Sequence, residues 1–207
     1  MNEVCPQYDR IAADYDRTRS RSLMERPYLE RVAAAIPPGG TVLDLGCGVA
    51  EPIAAFFLDN GFRVTGVDGA SAMIACCQAR YPASKYSARW IHADMRDIKL
   101  AQRFHAIIAW DSFFHLQPAD QRRMFPSFAA HLRPGGMLLF TSGHEPGEVT
   151  NPMHGEMFYH ASLAPSEYRD RLDSNEFEVL HYCERDPDCG EHTVWLARFA
   201  PYRDHEN

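Results

Sequence analysis

The stretch Thr41-Val-Leu-Asp-Leu-Gly-Cys-Gly-Val-Ala-Glu-Pro52, followed by Arg63-Val-Thr-Gly-Val-Asp68, decides how this chain is read. Val42, Leu43 and Leu45 form the apolar run expected of a strand buried on both faces. Gly46 and Gly48 let the backbone turn and approach a ligand closely. Pro52 falls in the first turn of a following helix, where its missing N–H costs little. A second apolar strand ends at Asp68, from which a carboxylate can accept hydrogen bonds from both ribose hydroxyls of an adenosine. Strand, glycine turn, helix, strand and acid together describe a nucleotide-binding unit.

The charge in the loop narrows the ligand. A dinucleotide brings pyrophosphate to the turn after the first strand, so its loop uses backbone amides and keeps carboxylates away. Here Asp44 stands two residues before Gly46, and Glu51 occupies the place where the dinucleotide pattern needs its third glycine. S-adenosylmethionine carries a sulfonium and an ammonium and no phosphate, so an acid at the loop attracts it. The structural alternative makes Asp44 a turn residue and Asp68 a cap for the helix beginning near Ser71.

A chain of 207 residues with 45% hydrophobic content can bury a sizeable core, and this length reads as one domain over 1–207 without linker or repeat. The formal charge of -7 offers no basic footprint, which disfavours nucleic acid and favours a small-molecule partner. Cys5, Cys47, Cys76, Cys77, Cys183 and Cys189 form no C-x-x-C pair and read as reduced thiols of a cytoplasmic protein. No apolar stretch suits secretion or a membrane span.

Strand-like and helix-like segments alternate, the pattern of a parallel sheet covered by helices on both faces. Strands are expected near 41–45, 63–68, 87–92, 104–110 and 136–142, with helices near 22–36, 50–60, 71–80 and 118–131. A further helix starts after Pro165. Glu178-Val-Leu-His-Tyr and His192-Thr-Val-Trp-Leu-Ala-Arg-Phe then read as two strands paired antiparallel at an edge.

Four motifs in order, Val42-Leu-Asp-Leu-Gly-Cys-Gly, Val64-Thr-Gly-Val-Asp with Met73, His92-Ala-Asp-Met-Arg-Asp, and Leu132-Arg-Pro-Gly-Gly-Met-Leu-Leu-Phe, resemble those of class I S-adenosylmethionine-dependent methyltransferases from about Tyr8 to Phe199. The resemblance implies a Rossmann-like, doubly wound α/β fold. Its sheet is seven-stranded and mostly parallel, with an antiparallel last strand inserted beside the fifth. It further implies that Asp44, Gly46, Cys47 and Gly48 surround the methionine portion and that Asp68 binds the ribose. Asp94 with Met95 would hold the adenine, while Gly69 and Met73 pack near the ribose and ring. Many members have a glycine where Ala50 stands. The run from Tyr8 to Arg19 resembles the helix that covers the cofactor, so segment 1–36 is expected to cap the site, with Tyr8, Tyr15 and Arg19 toward the methionine carboxylate or the substrate.

Methyl transfer from a sulfonium is a displacement that needs alignment and, for a hydroxyl or acidic N–H, removal of a proton. His115, in Ala109-Trp-Asp-Ser-Phe-Phe-His-Leu after the fourth strand, is the candidate base; the alternative is a packed imidazole bonded to backbone. Trp110 and Asp111 in the same segment are cofactor-binding candidates, and Phe114 a substrate-pocket one. Residues 143–164 are too long for a simple connection and read as a substrate lid or loop, with Tyr8, His144, Met157, Tyr159 and His160 as further pocket candidates and His154 beside them. The histidines lack the spacing of a metal site, so no metal is expected.

The reading is therefore a methyltransferase moving the methyl of S-adenosylmethionine to an oxygen, nitrogen or carbon of a small molecule, releasing S-adenosylhomocysteine, as a monomer or homodimer. Trp110-Asp-Ser-Phe replaces the Asn/Asp-Pro-Pro-Tyr/Phe segment of many enzymes that methylate base or glutamine amines. An RNA-modifying enzyme of the same fold and a non-catalytic cofactor-binding module are the alternatives.

Overall fold

A computed structural model describes residues 4–201; of the domain read over 1–207, residues 1–3 and 202–207 lie outside the described residues. In chain order the elements are α1 (Cys5–Thr18), α2 (Arg26–Ala35), β1 (Thr41–Leu45), α3 (Ile53–Asp59), β2 (Arg63–Asp68), α4 (Ser71–Arg80), β3 (Ala88–His92), β4 (Phe104–Ala109), α5 (Pro118–His131), β5 (Leu132–Ser142), β6 (Gly147–Met153), β7 (Glu156–Ser162), α6 (Pro165–Ser174), β8 (Phe177–Asp186) and β9 (His192–Phe199). One seven-stranded sheet has the order β3-β2-β1-β4-β5-β9-β8. β1 to β5 are mutually parallel where they pair, and β9 runs antiparallel to both neighbours. The expected antiparallel pairing of the last two strands holds, but only β8 is at the edge, because β9 is inserted beside β5.

Continuous apolar runs follow from burial on both faces. Val42 and Ile108 face a core shared with α2, α3 and α4, whereas Leu43 and Ile107 face one shared with α5 and α6. In the second core Phe140 and Trp195 stack at 5.8 Å, locking the inserted strand against β5. Each fully buried ring stabilises the fold by roughly 1.5–3 kcal/mol. No helix among the described residues is long and apolar enough to cross a membrane.

Segment 143–164, read as a loop, is a two-stranded antiparallel hairpin, β6 and β7. Its sequence hid this because Pro152 lies within β6 and most of that strand's side chains are exposed, so no apolar alternation marks it. The hairpin leans on α1: Gln7 Nε2 donates to the Met157 carbonyl at 2.6 Å, and Arg10 forms two bonds to Glu156 at 2.6 and 2.7 Å. On its other side α1 is tied to α4. Asp9 accepts the free Ala72 N–H in the first turn of α4 at 2.8 Å, and Asp16 takes two bonds from Arg80. These ties hold α1 across the carboxyl edge of the sheet.

Candidate active site

Two chambers meet at that edge. The first is lined by Cys5, Tyr8 and Tyr15 of α1, Gly46 and Gly48 after β1, Asp68 and Gly69 after β2, Met73, Asp94 and Met95, and Asp111, Ser112 and His115 after β4. It encloses about 580 Å³ of empty space, its open side included. A small compartment continues from it past Asp44, Cys47, Trp110 and Arg19.

The loop after β1 is built by backbone. Gly46 and Cys47 both donate their N–H to the Val67 carbonyl, at 2.8 and 3.1 Å, which bends the chain over the end of β2. Gly46 has φ +75°, and a Cβ there would overlap Ser112, whose hydroxyl donates to the Leu45 carbonyl at 2.6 Å. Cys47 turns its sulfur onto the sheet beside Gly66, where any Cβ would lie 2.8 Å from it, so this residue offers the chamber mainly backbone. Ala50 takes the left-handed φ of 70°, the conformation that makes glycine common at such a place.

Asp68 accepts the Gly48 N–H at 2.9 Å and the Ala70 N–H at 2.8 Å, one on each carboxylate oxygen. Burial pushes its pKa up to about 6 despite these two bonds. Asp44 is 4% exposed, and burial with the nearby Asp68 charge pushes it up to about 7 against the pull of Arg19. Buried Asp44 in the extension and half-buried Asp68 in the chamber form a site for a cation, because a positive ligand restores the interaction lost from water. Asp94 pairs with Arg96 at 2.6 Å and accepts the Arg96 backbone N–H, which fixes the short turn carrying Met95.

The wall opposite holds Arg19 between two acids, Glu25 at 3.1 Å and Asp111 at 3.8 Å. Glu25 is 2% exposed and keeps the guanidinium from swinging away. Among the described residues Arg19 Nε and Trp110 Nε1 are buried without a hydrogen-bond partner, and both side chains line the small compartment, where an anionic group would find N–H donors near it. The chemistry of this donor set, acids at one end and N–H donors at the other, fits the amino-acid part of S-adenosylmethionine.

Tyr8, Tyr15, Asp111 and His115 also line a second chamber, with Arg19, Phe114, Met153, Phe158, His160 and His192 among its other walls. Its empty space on the same measure is about 870 Å³. Tyr8 and Tyr15, seven residues apart on one face of α1, meet edge to face at 5.9 Å. His115 is buried; its Nδ1–H donates to the Tyr159 carbonyl at 2.8 Å, which leaves Nε2 to accept the Tyr8 hydroxyl at 2.9 Å. Burial pushes its pKa down to about 4, outweighing the bond to Tyr159. His192 is its opposite. Burial disfavours its charge, but bonds to Asp111 at 2.8 Å and to the Cys189 carbonyl at 2.6 Å raise its pKa overall.

The cofactor candidates thus gather around the first chamber and its extension. Of the pocket candidates, Tyr8, Phe114 and His160 line the second chamber, but three others do not. Met157 is exposed, and Met157 and Tyr159 lie on the opposite face of β7 from Phe158 and His160, because side chains alternate along a strand. The Tyr159 hydroxyl binds Glu148 instead. His144 lines an adjoining surface groove with Glu145, Glu148 and Ser162, which shares Phe114, Asn151 and His160 with the second chamber. His154 at the hairpin tip meets Thr18 of α1 at 2.9 Å. Residues not anticipated include Phe158, one step from two that were, and His192. Because β9 runs antiparallel, its first residue reaches the carboxyl edge of the sheet. No local signal in the sequence marks that position.

Residues 42–136 match the model of the methyltransferase domain family. This segment is similar to methyltransferase domains, and the chain as a whole has the class I methyltransferase fold. Over 136 residues it is 32% identical to YqeM of Bacillus subtilis (strain 168), which bears the name of a methyltransferase, covering 64% of this chain and 54% of YqeM. Over 109 residues it is 29% identical to the carboxy-S-adenosyl-L-methionine synthase of Aliivibrio salmonicida (strain LFI1238), covering 50% and 45%. The chain spans about half the length of the curated relatives it matches. Among solved structures, the 1,6-didemethyltoxoflavin-N1-methyltransferase of Burkholderia thailandensis, with 1,6-didemethyltoxoflavin and S-adenosylhomocysteine bound, superposes with a TM-score of 0.74 at 20% identity, over 95% of this chain and 87% of that one. A S-adenosylmethionine-dependent methyltransferase from Clostridium acetobutylicum ATCC 824 gives 0.73 at 13% identity, over 94% and 99%. At these identities the methyltransferase likeness is one of fold.

Proposed function

We propose that this protein is an enzyme that transfers the methyl group of S-adenosylmethionine to an oxygen, nitrogen or carbon of a small molecule, releasing S-adenosylhomocysteine. The observation that carries this reading is the pair of chambers sharing a wall of Tyr8, Tyr15, Asp111 and His115, one lined by half-buried Asp68 and extended past buried Asp44, the other lined in large part by aromatic side chains. The cofactor supplies an electrophilic methyl on a sulfonium, which an acceptor in line behind it displaces. Asp44 holds the ammonium, Arg19 and Trp110 the carboxylate, Asp68 the ribose hydroxyls, and Asp94 with Met95 and Met73 the adenine end. Gly46, Cys47, Gly48 and Gly69 line it with backbone, and Asp111 steadies Arg19. His115 is the proton acceptor. The hairpin and α1 act together as the cover of the substrate. Free thiols throughout the described residues support a cytoplasmic setting; the proposed state is a monomer or homodimer.

Calorimetric titration with S-adenosylhomocysteine, with reduced nicotinamide dinucleotide as control, tests the reading. Binding of the first alone is expected; affinity for the dinucleotide alone overturns it. Product mass then separates a methylated acceptor from a carboxylated S-adenosylmethionine, the product that the name of the synthase relatives points to.

A further inference from the structure

The second chamber has a wall of rings in mutual contact. Tyr8 packs on Phe158 at 4.6 Å and meets His115 at 5.5 Å. His160 lies 4.7 Å from His115 and 5.0 Å from Phe114. Such walls favour a flat ring, which finds offset and edge contacts without ordering many bonds of its own.

Charge argues against an amine. Asp111 is the sole carboxylate among the described residues lining this chamber, and it is bonded to His192 at 2.8 Å with Arg19 at 3.8 Å. An ammonium entering here loses its water and meets an acid already bonded to His192 and faced by Arg19.

The proton path points the same way. A base held near 4, as His115 is, takes a proton from a ring N–H or O–H once bonding to carbon has made that proton strongly acidic. It cannot strip an aliphatic ammonium, whose pKa is about 10.

Resting on the methyltransferase reading, we infer that the acceptor is a planar aromatic or heteroaromatic molecule, neutral or anionic, methylated at an acidic ring N–H or O–H placed against the Tyr8 hydroxyl. The ring atom bonds to the methyl carbon, and the carbon–sulfur bond breaks with its electron pair going to sulfur. For a neutral ring, its proton passes to the Tyr8 oxygen while the Tyr8 proton passes to His115 Nε2. The positive charge of the sulfonium thus ends on the imidazolium, which releases its proton to solvent.

Protein saturated with S-adenosylhomocysteine is titrated with lumazine, a fused ring with an acidic N–H, with 4-hydroxyquinoline, and with glucosamine as an aliphatic amine. At least one ring is expected to bind and glucosamine not. Phe114→Ala, at a partly exposed position, is expected to weaken ring binding about 2- to 10-fold, the scale of one aromatic contact, with S-adenosylhomocysteine affinity unchanged. Failure of S-adenosylhomocysteine itself to bind sinks the methyltransferase reading. If it binds while neither ring does, or while glucosamine binds as tightly, or if Phe114→Ala leaves ring affinity unaltered, the acceptor class is overturned.

Discussion

The two chambers are built from different materials. The floor of the first is made of strand ends held by bonds to main-chain groups: Gly46 and Cys47 donate to the Val67 carbonyl, and the Asp68 carboxylate accepts the Gly48 and Ala70 N–H. The second is assembled from α1, the segment after β4, the β6–β7 hairpin and the start of β9, and its walls are side chains. Main-chain construction fixes geometry whatever the neighbouring side chains are, which suits a ligand common to a whole family. A side-chain chamber on peripheral elements can change its lining without disturbing the sheet, which suits an acceptor that differs between members.

The division is tested most severely by Tyr8→Phe, which keeps the ring but removes the hydroxyl bonded to His115. Turnover is expected to fall by about 100-fold, the lower end for loss of a proton-transfer group, with S-adenosylhomocysteine affinity held within about twofold. Equal loss of both in steady-state kinetics and calorimetry merges the chambers into one. Asp68→Ala is the converse, expected to cost about 10- to 100-fold in cofactor affinity by calorimetry through lost charge-assisted bonds. Retained affinity removes the ribose assignment.

Asp44 gives a smaller effect with a definite sign. Its folded pKa, about 7, lies above its value in the unfolded chain, so its stabilising contribution is full at low pH and is lost as pH rises through 7. A cationic ligand prefers the ionised form, so cofactor affinity should rise about tenfold from pH 6 to pH 8, with proton release. Calorimetry in buffers of differing ionisation enthalpy reads both. Asp44→Asn should raise the melting temperature of the ligand-free protein above pH 7 and flatten the affinity profile; an unchanged profile assigns the titration elsewhere. The smallest effect is expected at Arg10→Ala, which breaks the exposed pair to Glu156. Exposed pairs contribute little, so thermal melting should not move measurably and the acceptor KM should stay within about twofold. A larger change in KM makes that pair part of the cover's working geometry.

Much of the first chamber was legible in the chain because its residues sit at fixed offsets from strand ends: Asp44 and Gly46 around the end of β1, Asp68 at the end of β2, Asp94 just past β3. The glycine and acid signals are local, and a strand buried on both faces announces itself as an apolar run. The second chamber was legible only in fragments. His115, Phe114 and His160 were in view, but the face of β7 that turns inward depends on hairpin register, and so Met157 and Tyr159 were grouped with residues they do not join.

By itself, then, the sequence determined the sheet, the turn after β1 and the acids that favour a cationic nucleotide over a phosphate-bearing one, since each depends on neighbours within a few residues. Tertiary structure alone decided that Tyr8 meets His115, that Glu25 and Asp111 hold Arg19, and that His192 reaches the chamber from a strand inserted backwards. Those contacts join segments as far as 107 residues apart, and only packing brings them together.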